Sequence, residues 1–497
     1  MPEVPHSNQQ LAFLTISLVV AAGLLWFMAV IHSTAFLAAI FITAIPAAYL
    51  VVRFKAERLL LQVIVFFLPF SVEAPFLAGS MLRMPTEPLI AIAAMALVIH
   101  FLRDNQTIKN TIRREALWLA PLFLVFVATS LLSNMLMVSL KFSLVNVAYA
   151  LTFYLLIMHE SKGNPAFFPR LLLIYSAGFL LVMIWSLYQF RGFGWNPVVV
   201  PGIFEPFYND HTIFGASAAF LAASWFSMAF TLKRNAARMA AWLLSAALVV
   251  AVVYSTSRGA FLSLVVFFMV WIFYSFKPGV KLVIPALLLA ALVFMTLRPA
   301  IFDMIPGSQS LSYDREAGLF DRTSSVANLS TDVSNIERLN RWHAAWKMFR
   351  EKPLSGFGPG TYQFEYIPYQ SPALMNRLSV TNPYDPPEGS GGTAHSEYLL
   401  ALSEMGLFGL AAWLLLFGRW FVLSIKRWHT HPRQMYMTAA IAALSTYFFH
   451  ALVNNFLTTD KFAFLFWGAA AWLVASYKTD ETLEASPQPD INKQNKK

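Results

Sequence analysis

Long apolar segments without charged residues are the feature that most restricts how this chain can fold. Leu11–Ile31 contains 21 residues and no charge, and Ala240–Tyr254 and Ala260–Phe276 have the same character. A helix needs about 20 apolar residues to cross the ~30 Å hydrocarbon core of a bilayer. Lipid offers backbone amides and carbonyls no partner, and a helix satisfies them internally. The sequence therefore predicts an all-α fold, a polytopic bundle of transmembrane helices.

The composition agrees with a membrane protein and argues against other classes. Of the 497 residues, 58% are hydrophobic and 12% are charged, which is about half the charged fraction of an ordinary soluble domain. The net charge of +10 comes mostly from short segments between apolar stretches, where Lys and Arg orient membrane helices. We therefore expect membrane lipids as partners and no nucleic acid. The chain has no cysteine, which excludes disulfides, thiolate nucleophiles and Cys-ligated metals.

Fourteen apolar segments are candidate spans. They cover residues 11–31, 34–52, 59–76, 86–102, 116–134, 136–158, 169–190, 211–232, 239–255, 260–276, 281–297, 398–424, 435–457 and 462–477. The third is the weakest, because Pro69 and Glu73 interrupt it.

The distribution of basic residues predicts the orientation of these spans. With a cytoplasmic N-terminus, Lys and Arg cluster in the inner segments, and the short outer segments hold only Arg83, Arg191, Arg258 and Lys461. Both termini are then cytoplasmic. The predicted organisation is eleven transmembrane helices over residues 1–297, one large extracytoplasmic loop over 298–394, the C-terminal transmembrane helices over 395–477, and a disordered cytoplasmic tail over 478–497.

The large loop is predicted to contain an amphipathic helix. Ser334–Glu337 fits a capping box at its start. Leu339, Trp342, Trp346 and Phe349 follow at helical spacing and would share one face. A helix of this kind beside a bilayer is expected to lie on the membrane surface or to cover a cavity.

Four arginines on the predicted outer face are candidate anion ligands. Arg258 lies at the junction of two apolar spans, and Arg191 follows an earlier span. Arg338 and Arg341 flank the apolar face of the loop helix. Each one alone also fits an interfacial anchor, because long basic side chains extend toward the headgroups. Together they favour a phosphate site, where guanidinium groups can bind oxygens in pairs.

His395 is the candidate catalytic base. It precedes the twelfth span, and the positive end of a helix disfavours imidazolium, so we expect a neutral side chain that can accept a proton. The structural alternative is an incidental histidine at a membrane interface. His211, His450 and Lys141 are interpreted as structural residues.

Several motif classes are missing from the sequence. It contains no Walker-type phosphate loop, which argues against ATP-driven transport by this chain. Its carboxylates and histidines show no obvious metal-ligand spacing. No cofactor and no metal are therefore expected.

The chain resembles the O-antigen ligase and polymerase superfamily of bacterial membrane glycosyltransferases. Thr256–Ala260 is similar to its Ser-Arg-Gly segment, and Arg338–Trp342 and Pro353–Gly358 to its Arg-x-x-x-Trp and Pro-Leu-x-Gly-x-Gly segments. His395–Gly409 fits its signature of His, a small polar residue, nine spacers, Gly and a second Gly. Asn209–Gly215 is similar to a weaker Asn-containing segment, and the resemblance covers roughly residues 190–420.

The resemblance implies a fold, a location and a reaction. The family has nearer twelve spans, so we expect about 12–14 here, in a bacterial inner membrane with the large loop and active site facing the periplasm. The donor would be a glycan on undecaprenyl pyrophosphate, and the acceptor a hydroxyl of lipid A core or a similar lipid or glycan. Transfer would need no metal or nucleotide and would invert the anomeric configuration.

The resemblance also implies roles for the candidate residues. His395 would deprotonate the attacking hydroxyl. Arg258 and Arg338, with Arg191 and Arg341, would bind the pyrophosphate and stabilise the charge that develops as the bond breaks.

Three alternatives remain open at the level of sequence. A polymerase of O-antigen or exopolysaccharide differs only in using a second lipid-linked unit as acceptor, and a protein O-glycosylating transferase would use a protein hydroxyl. A secondary transporter or lipid flippase belongs to a different class and would predict charged residues in paired, broken helices near mid-membrane.

Overall fold

The computed structural model describes residues 44–75, 81–103, 107–161, 164, 166–276, 333–374, 392–426 and 434–484. The predicted spans 11–31 and 281–297, most of 34–52, and loop residues 298–332 and 375–391 lie outside this part of the chain.

The described residues are mainly helical, which confirms the all-α prediction. The helices are α1 (Ala44–Arg53), α2 (Glu57–Phe67), α3 (Thr86–Arg103), α4 (Thr107–Leu131), α5 (Leu136–Ser161), α6 (Phe167–Gly192), α7 (His211–Ala229), α8 (Asn235–Tyr254), α9 (Arg258–Phe276), α10 (Val333–Glu351), α11 (Tyr362–Glu365), α12 (Glu397–Lys426), α13 (Gln434–His450) and α14 (Asp460–Glu484). Short 3-10 turns occupy Leu68–Phe70, Pro197–Gly202, Ile367–Tyr369 and Pro372–Leu374.

Within the described residues, seven helices are long and apolar enough to cross a membrane. They are Arg113–Leu131, Leu136–Ser161, Phe167–Gly192, His211–Ala229, Asn235–Tyr254, Arg258–Ser275 and Glu397–Ile425. In the apolar part of α7, 89% of the residues are buried, so this helix lies inside the bundle. The corresponding share is only 28% in α8 and in α9. The exposed side chains of α8 and α9 are large and apolar, including Leu243, Val250 and Met269. Apolar surface of this extent is what lipid covers, so the chain is a multi-pass membrane protein.

Residues 59–76 do not form one span, so that prediction is wrong in its second half. Helix α2 ends at Phe67, and the next turn contains Pro69, which has no amide hydrogen to continue a helix. The chain then forms strand β1 (Val72–Pro75), which pairs antiparallel with β2 (Met81–Met84). The register places Glu73 opposite Arg83, and their side chains form an ion pair at 2.8 Å.

The C-terminal spans also have different ends from those predicted. Helix α13 stops at His450, and the predicted span 435–457 therefore includes a non-helical segment with Asn454 and Asn455. Asn side chains compete for backbone hydrogen bonds and favour helix ends. Helix α14 continues to Glu484, seven residues into the segment 478–497 that the sequence assigned to a tail.

Helix α10 exists as predicted but uses another face for packing. It spans Val333–Glu351, and the capping box at Ser334–Glu337 stays a prediction because the Ser334 side chain lies outside the described part of the structure. Ile336, Asn340, Arg341, Ala344, Ala345 and Met348 form its buried face. Trp346 on the predicted apolar face is 49% exposed. The small residues of the buried face permit close approach to the bundle, whereas Leu339, Trp342 and Phe349 are only partly buried.

A break in α12 joins the loop to the bundle. Gly406 has φ 65° and ψ −163° inside this helix, a backbone conformation that glycine adopts most readily. The break frees the carbonyls of Ser403 and Glu404, which accept hydrogen bonds from the amides of Phe357 at 3.0 Å and Gly358 at 2.8 Å. In return, the amide of Leu407 donates to the carbonyl of Pro353 at 2.8 Å.

The glycines of this joint are required by space as well as by conformation. A Cβ on Gly406 would lie 2.3 Å from the carbonyl oxygen of Leu354, and one on Gly356 would lie 2.3 Å from the carbonyl carbon of Glu404. The segment Pro353–Gly358 and the break at Gly406 therefore contact each other through their main chains.

Candidate active site

The backbone of His395 is held between α10 and the segment that follows α13. The residue has φ 48°, in the left-handed region, which non-glycine residues rarely adopt. Its carbonyl accepts a hydrogen bond from Nε1 of Trp342 at 3.1 Å. Two residues later, the amide of Glu397 donates to the carbonyl of Ala451 at 2.9 Å. These contacts orient the imidazole at the start of α12.

The imidazole of His395 has a polar partner on each side. Its Nδ1 lies 3.4 Å from Oδ1 of Asn454, and its Nε2 lies 4.0 Å from Oε1 of Glu337 on α10. The side chain is 25% exposed.

The surroundings of His395 favour its neutral form. Burial, and then the positive charges of Arg341 and Arg338, lower its pKa from 6.5 to about 3, and Asp210 opposes this shift. A neutral His395 was expected from its position at a helix end, whereas the largest cause in the structure is burial, which disfavours a charged group in low dielectric.

His395 lies on the wall of a cavity of about 210 Å³. The wall combines aromatic, amide, hydroxyl and charged side chains, and its residues are Glu73, Arg83, Phe207, Tyr208, Asn209, Asp210, Ile213, Thr393, His395, Asn454, Asn455, Phe456, Thr458, Thr459 and Lys461. The cavity therefore lies between strands β1 and β2, the start of α7, the segment Thr393–His395 before α12, and the segment between α13 and α14.

Arg341 is bound tightly by groups of its own chain. Its Nε and Nη2 each lie 2.9 Å from Oε1 of Glu337, and its Nη1 donates to the carbonyl of Thr393 at 3.2 Å. The guanidinium also lies over the ring of Tyr366, 5.0 Å from its centroid. A Cβ on Gly392 would lie 2.8 Å from Nη1 of Arg341. Arg341 therefore clamps the segment before His395 onto α10.

Arg338 precedes Arg341 by one turn of α10 and is half-buried. Its charge contributes to the lowered pKa of His395. The structure thus brings Arg338 into electrostatic range of the candidate base.

The backbone next to Arg258 lies close to His450, which contacts Asn454 beside His395. It is the first residue of α9, and a Cβ on the next residue, Gly259, would lie 2.6 Å from Nε2 of His450. Asn454 lies between the two histidines, with its Nδ2 3.1 Å from Nε2 of His450. Arg258 is therefore at the same end of the bundle as His395.

Arg191 is exposed in the last turn of α6. None of the four predicted arginines, Arg191, Arg258, Arg338 and Arg341, is part of the cavity wall. The neighbouring Phe190 contacts Tyr254 at the end of α8, with ring centroids 5.6 Å apart. The end of α6 that carries Arg191 thus packs against the end of α8, four residues before Arg258.

Two basic side chains of the cavity wall, Arg83 and Lys461, were not selected from the sequence. Arg83 pairs with Glu73 at 2.8 Å and Glu87 at 3.4 Å, lies 3.8 Å from Asp460, and donates to the carbonyl of Thr458 at 2.8 Å. Lys461 donates to the carbonyl and hydroxyl of Ser71 at 2.9 and 2.6 Å. Their placement in short outer segments was the available signal, but only the fold reveals their carboxylate partners.

Asp210 and Asn454 were also missed as site residues. Asp210 caps α7, because its Oδ1 accepts from the amide of Thr212 at 2.7 Å, and Asn454 lay within a predicted span.

Among the described residues, no group of three or more His, Cys, Asp or Glu side chains is arranged to hold a metal ion.

Comparison with known proteins identifies one matching family. The family model described as O-antigen ligase matches residues 239–414, and no curated protein matches the chain. The matched range begins in α8 and includes Arg258, the described part of the loop, His395 and the break in α12. Over residues 239–414, the chain is similar to the O-antigen ligase family.

Proposed function

We propose that this protein is an O-antigen ligase-type membrane glycosyltransferase. It moves a glycan from undecaprenyl pyrophosphate to a hydroxyl of lipid A core or a similar acceptor, at the periplasmic face of the inner membrane. The family match supports a glycosyltransferase-like enzyme. The observation that carries the finer proposal is the neutral His395 on a cavity wall, with Arg338 and Arg341 close enough to lower its pKa.

The reaction is a single displacement. His395 accepts the proton of the acceptor hydroxyl through Nε2, and the hydroxyl oxygen forms a bond to the anomeric carbon. The bond from that carbon to the phosphate oxygen breaks, and its electron pair leaves with undecaprenyl pyrophosphate. Attack from the face opposite the leaving group inverts the configuration. Such general base catalysis typically contributes about 10²–10⁴-fold.

Donor binding would make His395 a stronger base. Its pKa of about 3 results partly from Arg341 and Arg338, and a pyrophosphate near these groups would offset their positive charge. Glu337, 4.0 Å from Nε2, would then stabilise the imidazolium that forms. Proton transfer would thus be favourable only when the donor is in place.

The arginines would divide the remaining work. Arg258 and Arg338 would bind the pyrophosphate oxygens, with Arg191 at the rim. Arg341 would act mainly through the segment it clamps, since Glu337 and Thr393 already accept hydrogen bonds from its guanidinium.

The test uses purified protein, a lipid-linked glycan, and either lipid A core or a second lipid-linked unit. We expect product on lipid A core and a loss of at least ~10²-fold in His395→Ala, with normal membrane insertion. His343, an exposed histidine of α10, provides the control, and His343→Ala should transfer normally. Unchanged transfer by His395→Ala would remove the histidine from the mechanism, and product only on the second lipid-linked unit would identify a polymerase.

A further inference from the structure

We propose that Asn454 is a positioning residue that keeps the proton of neutral His395 on Nδ1, so that the lone pair of Nε2 is available to the substrate. This inference rests on the proposed role of His395 as the base.

The two sides of the Asn454 amide face two different histidines. Its Oδ1 lies 3.4 Å from Nδ1 of His395, and its Nδ2 lies 3.1 Å from Nε2 of His450. A carboxamide oxygen only accepts hydrogen bonds and a carboxamide nitrogen only donates them. With the amide in this orientation, Nδ1 of His395 carries the hydrogen and Nε2 of His450 accepts one. The longer contact is in the range seen for catalytic hydrogen bonds that tighten when substrate binds.

Close packing fixes the positions of Asn454 and of its partner His450. Asn454 is 4% exposed and His450 is 1% exposed, and the backbone amide of Asn454 donates to the carbonyl of His450 at 2.9 Å. The ring of Phe456 packs edge-on against His450 with centroids 4.8 Å apart. Gly259 approaches the same imidazole from α9 so closely that a Cβ there would lie 2.6 Å from Nε2.

A competing tautomer makes this control necessary. Glu337 lies 4.0 Å from Nε2 of His395, and its carboxylate attracts a hydrogen to that nitrogen. A His395 protonated on Nε2 presents no lone pair toward the acceptor and cannot act as the base there. Arg341 weakens the attraction by pairing with Glu337 at 2.9 Å, and Asn454 supplies an acceptor for the hydrogen on the other nitrogen.

The charged and titratable groups around the two histidines come from several elements. Glu337, Arg338 and Arg341 face His395 from α10, and Asp210 acts on it from the start of α7. His450 belongs to α13. The Asn454 variants should therefore differ from the wild-type protein only at position 454, so that these other groups act equally in each protein.

The first measurement is the pH dependence of transfer in two variants. Asn454→Ala removes the acceptor, so we expect kcat to fall by about 10²-fold with KM for the donor changed less than about threefold. Asn454→Asp keeps an acceptor at Nδ1 and adds negative charge, which favours the charged imidazole. It should retain more activity than Asn454→Ala, with the acidic limb of the profile moved to higher pH, because the base must lose its proton before it can act.

The matched control is Asn146→Ala, which removes another buried amide whose Nδ2 bonds the carbonyl of Phe142 in α5. It should leave the profile unchanged. Equal activity of Asn454→Ala and wild type, or identical profiles for Asn454→Asp and Asn454→Ala, would overturn the proposal.

The second measurement observes the tautomer without catalysis. Nitrogen-15 NMR of histidine-labelled protein in nanodiscs distinguishes protonated from unprotonated ring nitrogens, and His395→Gln assigns the resonances. We expect Nδ1 of His395 to be protonated in wild type and Nε2 to gain the hydrogen in Asn454→Ala. A wild-type protein protonated on Nε2 would overturn the inference. If His395→Ala transfers normally while the NMR result holds, the proposed function fails and the tautomer assignment stands.

Discussion

Glu337 binds the guanidinium of Arg341 through both Nε and Nη2, each at 2.9 Å. Glu337 also lies 4.0 Å from Nε2 of His395. The carboxylate of Glu337 thus contacts Arg341, which fixes the segment before His395, and also lies near His395 itself. The pair is also well shielded, because the Arg341 side chain is 6% exposed and that of Glu337 is 13% exposed.

Arg341→Ala should destabilise the protein more than it weakens donor binding. Removing one partner of a buried pair leaves an uncompensated charge and typically costs about 3–5 kcal/mol. We expect a clear decrease in melting temperature in detergent. Arg350→Ala, at an exposed position of the same helix, should change stability by less than about 0.5 kcal/mol. A normal melting temperature with a raised donor KM would instead make Arg341 a pyrophosphate ligand.

Arg258→Lys should be nearly as damaging to transfer as Arg258→Ala. A lysine keeps the charge but loses the planar fork that binds two oxygens at once. Kinetics with the lipid-linked donor provide the measurement, and we expect both variants to lose about tenfold or more in kcat/KM. A fully active Arg258→Lys protein would show that a plain positive charge or an anchor is sufficient.

Gly259→Ala should reduce transfer because it displaces the start of α9 from His450. The added Cβ would lie 2.6 Å from Nε2 of that buried histidine, a distance that requires one of them to move. We expect a loss of roughly tenfold or more in kcat, since small displacements near a reacting group are costly. Gly418→Ala is the matched control, because a Cβ there has no neighbour within 4 Å. Wild-type kinetics for Gly259→Ala would mean that the contact with His450 is not needed.

His395 should make the protein less stable in acid. Its pKa is about 3 in the folded protein against 6.5 ordinarily, so the unfolded chain binds more protons between these values. Stability is therefore retained above pH 6.5 and lost progressively as the pH falls toward 3. His395→Gln cannot take up that proton, and its melting temperature should decrease less between pH 7 and pH 4. Parallel curves for the two proteins would contradict the lowered pKa.

Sequence reasoning predicted the helices well where hydropathy alone determines them. Helices α5 to α9 and α12 correspond to long apolar segments, because lipid requires a continuous apolar helix. It failed where apolar composition hides an irregular backbone. The hairpin at Val72–Met84 and the segment after His450 are both rich in apolar residues, and Pro69 and the Asn454–Asn455 pair were the local signals against a helix.

Candidate site residues could be proposed from the sequence, but their partners could not. Placing an imidazole or a guanidinium near lipid costs free energy, so such residues are functional candidates. On this ground the sequence singled out His395, Arg258, Arg338 and Arg341. That Arg341 is already paired depends on Glu337 one turn away and on Thr393 beyond a long loop. Contacts between residues so distant in sequence require the three-dimensional fold.

The joint at Gly406 has a consequence for how this sequence can vary. Because the covering loop is attached to α12 by main-chain atoms on both sides, substitutions of most side chains along the contact leave its hydrogen bonds intact. An insertion or deletion between Pro353 and Gly358 would instead move every donor past its acceptor. Natural variation in this stretch should therefore consist of residue exchanges at constant length, with changes of length confined to the segments on either side.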